Sequence, residues 1–164
     1  MTFLYPAIDS PELQPYAAPF GRVMLGYGRA ITAAIALAKR SKLRTEMKAA
    51  KLVNNNSNGL PDDMRALFCG KLKKADFEAL SRALDRMKEI AKDRNQLVHG
   101  EWWFDVFADG QLQTRNVKRN SIEHGKSYSP ELLNQYAVEL DDIADEFDRI
   151  ENMLRQRRNL RRRA

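Results

Sequence analysis

Apolar side chains at Phe77, Leu80, Leu84, Met87, Ala91 and Val98 step by three and four over three heptads, beginning just after Asp76. That spacing is one buried face of a long helix, and a strand, with its period of two, cannot produce it. Gly100 supplies the expected helix end. The same step recurs at Leu133, Tyr136, Leu140, Ile143, Phe147, Ile150 and Leu154, after Ser129-Pro130-Glu131, which reads as a serine N-cap followed by proline at the first helical position. Neither stripe can be buried alone, so the chain needs further helices to cover them. Residues 19–39 supply one, with small residues four apart at Gly26, Ala30, Ala34 and Ala38 forming a flat stripe that admits close approach. Two shorter helices are expected over 43–53, ended by the loop 54–59, and over 61–69, ended by Gly70. Pro15 and Pro19 argue against a long helix before residue 20, which leaves 1–18 as an irregular arm with one helical turn after Ser10-Pro11. Residues 102–107 are mostly aromatic or β-branched, Asp109-Gly110 is a tight-turn dipeptide and residues 112–115 can return, so a hairpin is expected at about 102–117. The expected fold is all-α, a helical bundle of four to five helices over 19–154 with a short β-hairpin inserted before the last helix.

The chain has 164 residues and a net charge of +6, but the excess is local. Arg155, Arg157, Arg158, Arg161, Arg162 and Arg163 crowd an Arg-rich tail, 155–164, that holds no acid, and the preceding residues balance at 22 basic against 22 acidic. Six guanidiniums in such a run grip phosphates without reading sequence. They also suit the end of a helix whose other face is acidic at Glu139, Asp141, Asp142, Asp145, Glu146, Asp148 and Glu151, so RNA binding and charge balance stand side by side as readings of the tail.

One cysteine, Cys69, and two histidines, His99 and His124, match no metal-ligand spacing, and no glycine-rich phosphate loop is present. Neither a metal nor a cofactor is expected. Cys69, beside Leu67 and Phe68, reads as a small core residue rather than as a nucleophile paired with His99. His124 falls in the polar run 120–126 and reads as a solvated loop residue. The N-terminus lacks the charged start and apolar run of a signal peptide, and the longest apolar stretch, 30–38, is far short of the ~20 residues that span a bilayer. A soluble cytoplasmic protein with no membrane partner is the expectation.

What remains is the segment 93–100. Stepping by seven from Leu80 and Met87 leads to residue 94, which is arginine, and a charge on a buried stripe is costly unless something compensates it. An acid of the last helix, such as Asp145 or Glu146, is one compensation, with His99 then merely favoured at a helix C-terminus. Catalysis is the other. Arg94, Asn95, three further residues and His99 resemble the signature of HEPN domains, in which arginine, then a polar residue, three residues and histidine lie near the end of a helix in an α-helical bundle. The following Gly-Glu-Trp-Trp is also similar to many HEPN-like sequences.

The resemblance implies a metal-independent endoribonuclease cleaving RNA at a composite site in a homodimer, in the style of a toxin or phage-defence effector with an antitoxin protein as partner. It equally admits a noncatalytic homodimer that binds RNA, nucleotide or a protein. Metal-free cleavage uses the ribose 2′-hydroxyl as nucleophile. Such chemistry suits a histidine for proton transfer and an arginine fork for the phosphate, which gives His99 and Arg94 their roles, with Asn95 orienting His99 or binding a phosphate oxygen. Five residues along a helix separate Arg94 from His99 by about 7.5 Å of rise and about 140° of rotation, so two copies meeting across a twofold axis make the tighter site. Trp102, directly after the motif, can stack a base or pack the hairpin.

Overall fold

The computed structural model describes residues 10–41, 45–55, 60–104, 111–118 and 121–163. In chain order they form α1 (Gln14–Lys39), α2 (Glu46–Asn55), α3 (Leu60–Phe68), α4 (Lys74–His99), β1 (Glu101–Phe104), β2 (Leu112–Lys118), β3 (Ser121–Tyr128) and α5 (Pro130–Arg163). This is a predominantly helical bundle of five helices with a short antiparallel sheet, which contains the expected hairpin, before the last. Among the described residues no helix is long and apolar enough to cross a membrane.

Three local expectations need correction. First, α1 starts at Gln14, with Pro19 inside it. A proline there removes one helical hydrogen bond, and the turns before it are held by Leu13 N–H to Ser10 O at 3.0 Å and Tyr16 N–H to Leu13 O at 3.0 Å. Second, the run read as a polar loop around His124 is strand β3, in a sheet ordered β1-β2-β3. Its own pattern carries no strand signal; it is a strand because β2 offers it a ladder, with Val117 opposite Ile122 and Leu112 opposite Tyr128. Third, Cys69 is exposed. α3 ends one residue earlier, and Phe68 takes the core position instead. The Asp109-Gly110 turn and the loop 56–59 lie outside the described residues.

The chain divides into two compact units. One comprises Gly26–Glu89 and Glu139–Ala164. Its core is built from Ala30, Ala34, Leu37 and Ala38 of α1, Met64 and Phe68 of α3, Leu80, Leu84 and Met87 of α4, and Leu140, Ile143, Phe147 and Ile150 of α5, all buried. The small-residue stripe of α1 is thus an inward face, Gly26 included. Each large side chain buried here contributes on the order of 1.5–3 kcal/mol. Ion pairs tie the periphery: Arg65 to Asp85 and Asp62, and Arg149 to Asp76 at 2.9 Å. Gly70 closes α3 at φ 71°, a left-handed conformation that costs other residues about 1–2 kcal/mol. An added Cβ would meet nothing within 4 Å. Gly70→Ala is therefore expected to lower stability by about 1 kcal/mol through the backbone alone, seen as a shifted urea midpoint at unchanged m-value.

The other unit comprises Met1–Leu25 and Ile90–Val138. Tyr16, Val23, Ile90, Ala91, Leu97, Leu112, Tyr128, Leu133 and Tyr136 are buried in it. The Tyr16 hydroxyl accepts the Leu112 N–H at 3.2 Å, which seats β2 on α1. Ser129 caps α5 as expected, its Oγ accepting the Leu132 N–H at 3.2 Å.

Candidate functional site

The site is built on the last two turns of α4. The buried face of that helix runs through Leu80, Ala83, Leu84, Met87, Ile90, Ala91 and Leu97. Val98, placed on the stripe by a seven-residue step, is instead 37% exposed. The reason is geometric: a helix of 3.6 residues per turn drifts about 20° per heptad, so the series 77, 84, 91, 98 leaves the face at both ends and Leu97 takes the inward place. The same drift carries Arg94, two heptads beyond Leu80, to the margin of the stripe. It is half-buried, with Nε shielded from solvent and Nη1 donating to Asn95 Oδ1 at 3.1 Å. Asn95 and His99 are exposed, and His99 is the last residue of the helix. Arg94 and His99 therefore share one helix end, with the arginine stem inward and the imidazole outward. The acids proposed as counterions of Arg94 are engaged by other arginines, Asp145 by Arg29 and Glu146 by Arg149.

Two sets of contacts hold this helix end. Trp102 of β1 donates its indole N–H to the Leu97 carbonyl at 2.6 Å, satisfying one of the last carbonyls of α4, which have no partner within the helix. Its ring meets Phe20 edge-on, centroids 5.3 Å apart, and the residue is half-buried. Trp102 thus packs the hairpin against α1 and α4. The second set was not anticipated. Asp93 accepts from the Tyr136 hydroxyl and, at 3.0 Å, from Lys126 Nζ, while the Tyr128 hydroxyl donates to Gln96 Oε1 at 3.1 Å. Lys126 Nζ also bonds the Tyr136 hydroxyl and lies 5.3 Å over its ring. Asp93 and Gln96 are three apart and flank Arg94 and Asn95, so this network fixes the rotation of the turn that carries the motif. The only sequence signal was that spacing, since Lys126 and Tyr128 lie in a strand that shows no strand pattern.

Burial raises the pKa of Tyr128 and of Tyr136, and the Asp93 charge adds to both. Burial works against the charge of Lys126, but Tyr136 and Asp93 together outweigh it and raise that pKa too. All three shifts have the same sign. An unfolded tyrosine ionises near pH ~10, whereas these hold their protons higher, so the stability they contribute is complete below that pH and is lost as pH rises through the raised folded values. Urea midpoints should stay level to about pH 10 and then fall, and Tyr128→Phe or Tyr136→Phe should flatten the fall. An identical decline in the wild type and both variants would refute the assignment.

Arg155 and Arg158 are exposed and Arg157 half-buried on α5, which runs on as helix to Arg163; the side chains of Arg161, Arg162 and Arg163 are outside those described. Among the described residues no group of three His, Cys, Asp or Glu side chains is placed to hold a metal ion. No family model, curated protein or solved structure matches the chain.

Proposed function

We propose that the chain is a HEPN-like endoribonuclease that acts without a metal, with the end of α4 as half of a composite site in a homodimer. The observation that carries this reading is the pairing of a half-buried Arg94, on the margin of an apolar stripe, with an exposed His99 at the last position of the same helix. His99 is open to a polymeric substrate. In the proposed reaction its imidazole exchanges a proton with the RNA: the ribose 2′-oxygen bonds to phosphorus as its proton leaves, the bond from phosphorus to the 5′-oxygen breaks, and that oxygen is protonated. Arg94 supplies a permanent charge for the phosphoryl oxygens, where negative charge builds up. Asn95 fixes the guanidinium through its hydrogen bond to Nη1.

The test is incubation of the purified chain with total RNA in EDTA, beside Arg94→Ala and His99→Ala. Cleavage by the wild type and its loss in both variants is the expected result. Intact RNA with the wild type, or equal cleavage by all three proteins, overturns the reading, and intact but bound RNA would favour a noncatalytic RNA-binding dimer. Sedimentation at micromolar concentration is expected to show the dimer.

A further inference from the structure

Among the described residues the acids of α5 that form ion pairs take their arginines from elsewhere, not from Arg155, Arg157 or Arg158. Arg86 holds Glu139, Arg29 holds Asp141 and Asp145, Arg149 holds Glu146 and Arg40 holds Glu151. Beyond Glu151 the helix carries six arginines and no acid. Arg155, Arg157 and Arg158 pair with no acid among the described residues. Their charge is therefore uncompensated within the described structure, and it has a defined location.

Two clefts open along this stretch. One, of about 610 Å³, is lined by Ala36, Lys39, Arg40, Ser41, Glu151 and Arg158. The other, of about 410 Å³, is lined by Gly70, Lys71, Leu154, Arg157 and Arg158. They share Arg158. The one carboxylate among these residues, Glu151, is 8% exposed and already bonded by Arg40, so it does not oppose an incoming anion. Lys71 is positioned by a hydrogen bond from its Nζ to the Leu67 carbonyl. What the clefts present is a concave run of cations, Lys39, Arg158, Arg157 and Lys71, and concave surfaces of one sign concentrate the field on a ligand. Two of the four are guanidiniums, whose planar forks match phosphate oxygens in pairs.

We propose that these two clefts form a binding site for a ligand bearing several phosphates, with Arg158 at their common wall. The same chemistry is offered by the backbone of single-stranded RNA and by a compact polyphosphate. The site is made from the ends of α1 and α5 and the turn after α3, and it does not depend on the chemistry assigned to Arg94 and His99.

The test measures anisotropy of a fluorescent 2′-O-methyl oligouridine with the full chain over a salt series, with inorganic tripolyphosphate as competitor. Because the probe lacks the 2′-hydroxyl nucleophile, failure of the cleavage reading leaves this measurement untouched. Lys39→Gln/Arg158→Gln and Arg157→Gln/Arg158→Gln are compared with a control of equal charge loss, Arg22→Gln/Arg82→Gln, at two exposed arginines outside the clefts. Each cleft pair is expected to weaken binding by about tenfold or more and to reduce the slope of log affinity against log salt by about 1.4, as two lost phosphate contacts on a single strand require, with the control close to wild type. Displacement of the probe by equimolar tripolyphosphate identifies a compact polyphosphate as the better ligand, and resistance to it identifies the RNA backbone. Absence of binding by the wild type, cleft pairs that bind like the wild type, or a control that loses as much as they do would overturn the proposal.

Discussion

Replacing His99 by alanine is expected to lower RNA cleavage by about 10²–10⁴-fold, the usual contribution of a positioned general acid or base, with little change in stability because the side chain is exposed. Arg94→Ala is expected to cost about 10²–10³-fold, in the range for removing one preorganised partner of a developing oxyanion. The double variant should be little worse than the worse single one, since groups that act on one transition state are not additive. Arg94→Lys should recover little, because an ammonium cannot reproduce the planar fork. Mixing the two inactive proteins separates a composite site from a site within one protomer. If Arg94 of one copy works with His99 of the other, each mixed dimer regains one complete site, and random exchange restores about a quarter of the wild-type sites. If both residues act within one copy, no mixed dimer contains a complete site and activity stays at the level of the single variants.

The helices were legible because their signals are local. The apolar step over α4 and α5, the Ser129 cap and the Gly70 stop all lie within one or two turns of the element they define. What could not be read depends on partners distant in sequence. β3 is a strand because β2 is beside it, and Pro19 is tolerated within α1 in a segment that Tyr16 anchors to Leu112. The end of α4 shows both cases. Arg94 stood out from the stripe alone, yet Val98 and Leu97 exchanged places because a seven-residue step falls about 20° short of two full turns. The Asp93, Lys126, Tyr136 and Tyr128 contacts join α4 to β3 and α5 across 32 to 43 residues of sequence, and only the three-residue spacing of Asp93 and Gln96 hints at them. The basic end of α5 was ambiguous for a related reason. Whether it balanced the acids before it depended on where Arg29, Arg40 and Arg86 lie, which helix periodicity does not determine.

Phe147→Ala is expected to lower stability by about 3–5 kcal/mol, the upper range for single core substitutions. Phe147 is fully buried on α5, with Ile143 one turn before it, Ile150 one turn after it and Ala144 beside them, all buried. Truncation loses the transfer energy of the ring and leaves a void, and two factors limit collapse into it. Arg29 ties Asp141 and Asp145, and Arg149 ties Asp76 to Glu146, so α5 is held at its surface on the turns around the cavity. The neighbours on the inward face are branched or small and cannot extend to fill the space of a ring. A domain of ordinary stability, about 5–15 kcal/mol, would retain only part of it, and the melting temperature should fall by about 6–20 °C. Phe147→Leu keeps most of the volume and should cost roughly a third as much. A urea midpoint shift for alanine no larger than that for leucine would mean that the core relaxes around this position, contrary to the packing described.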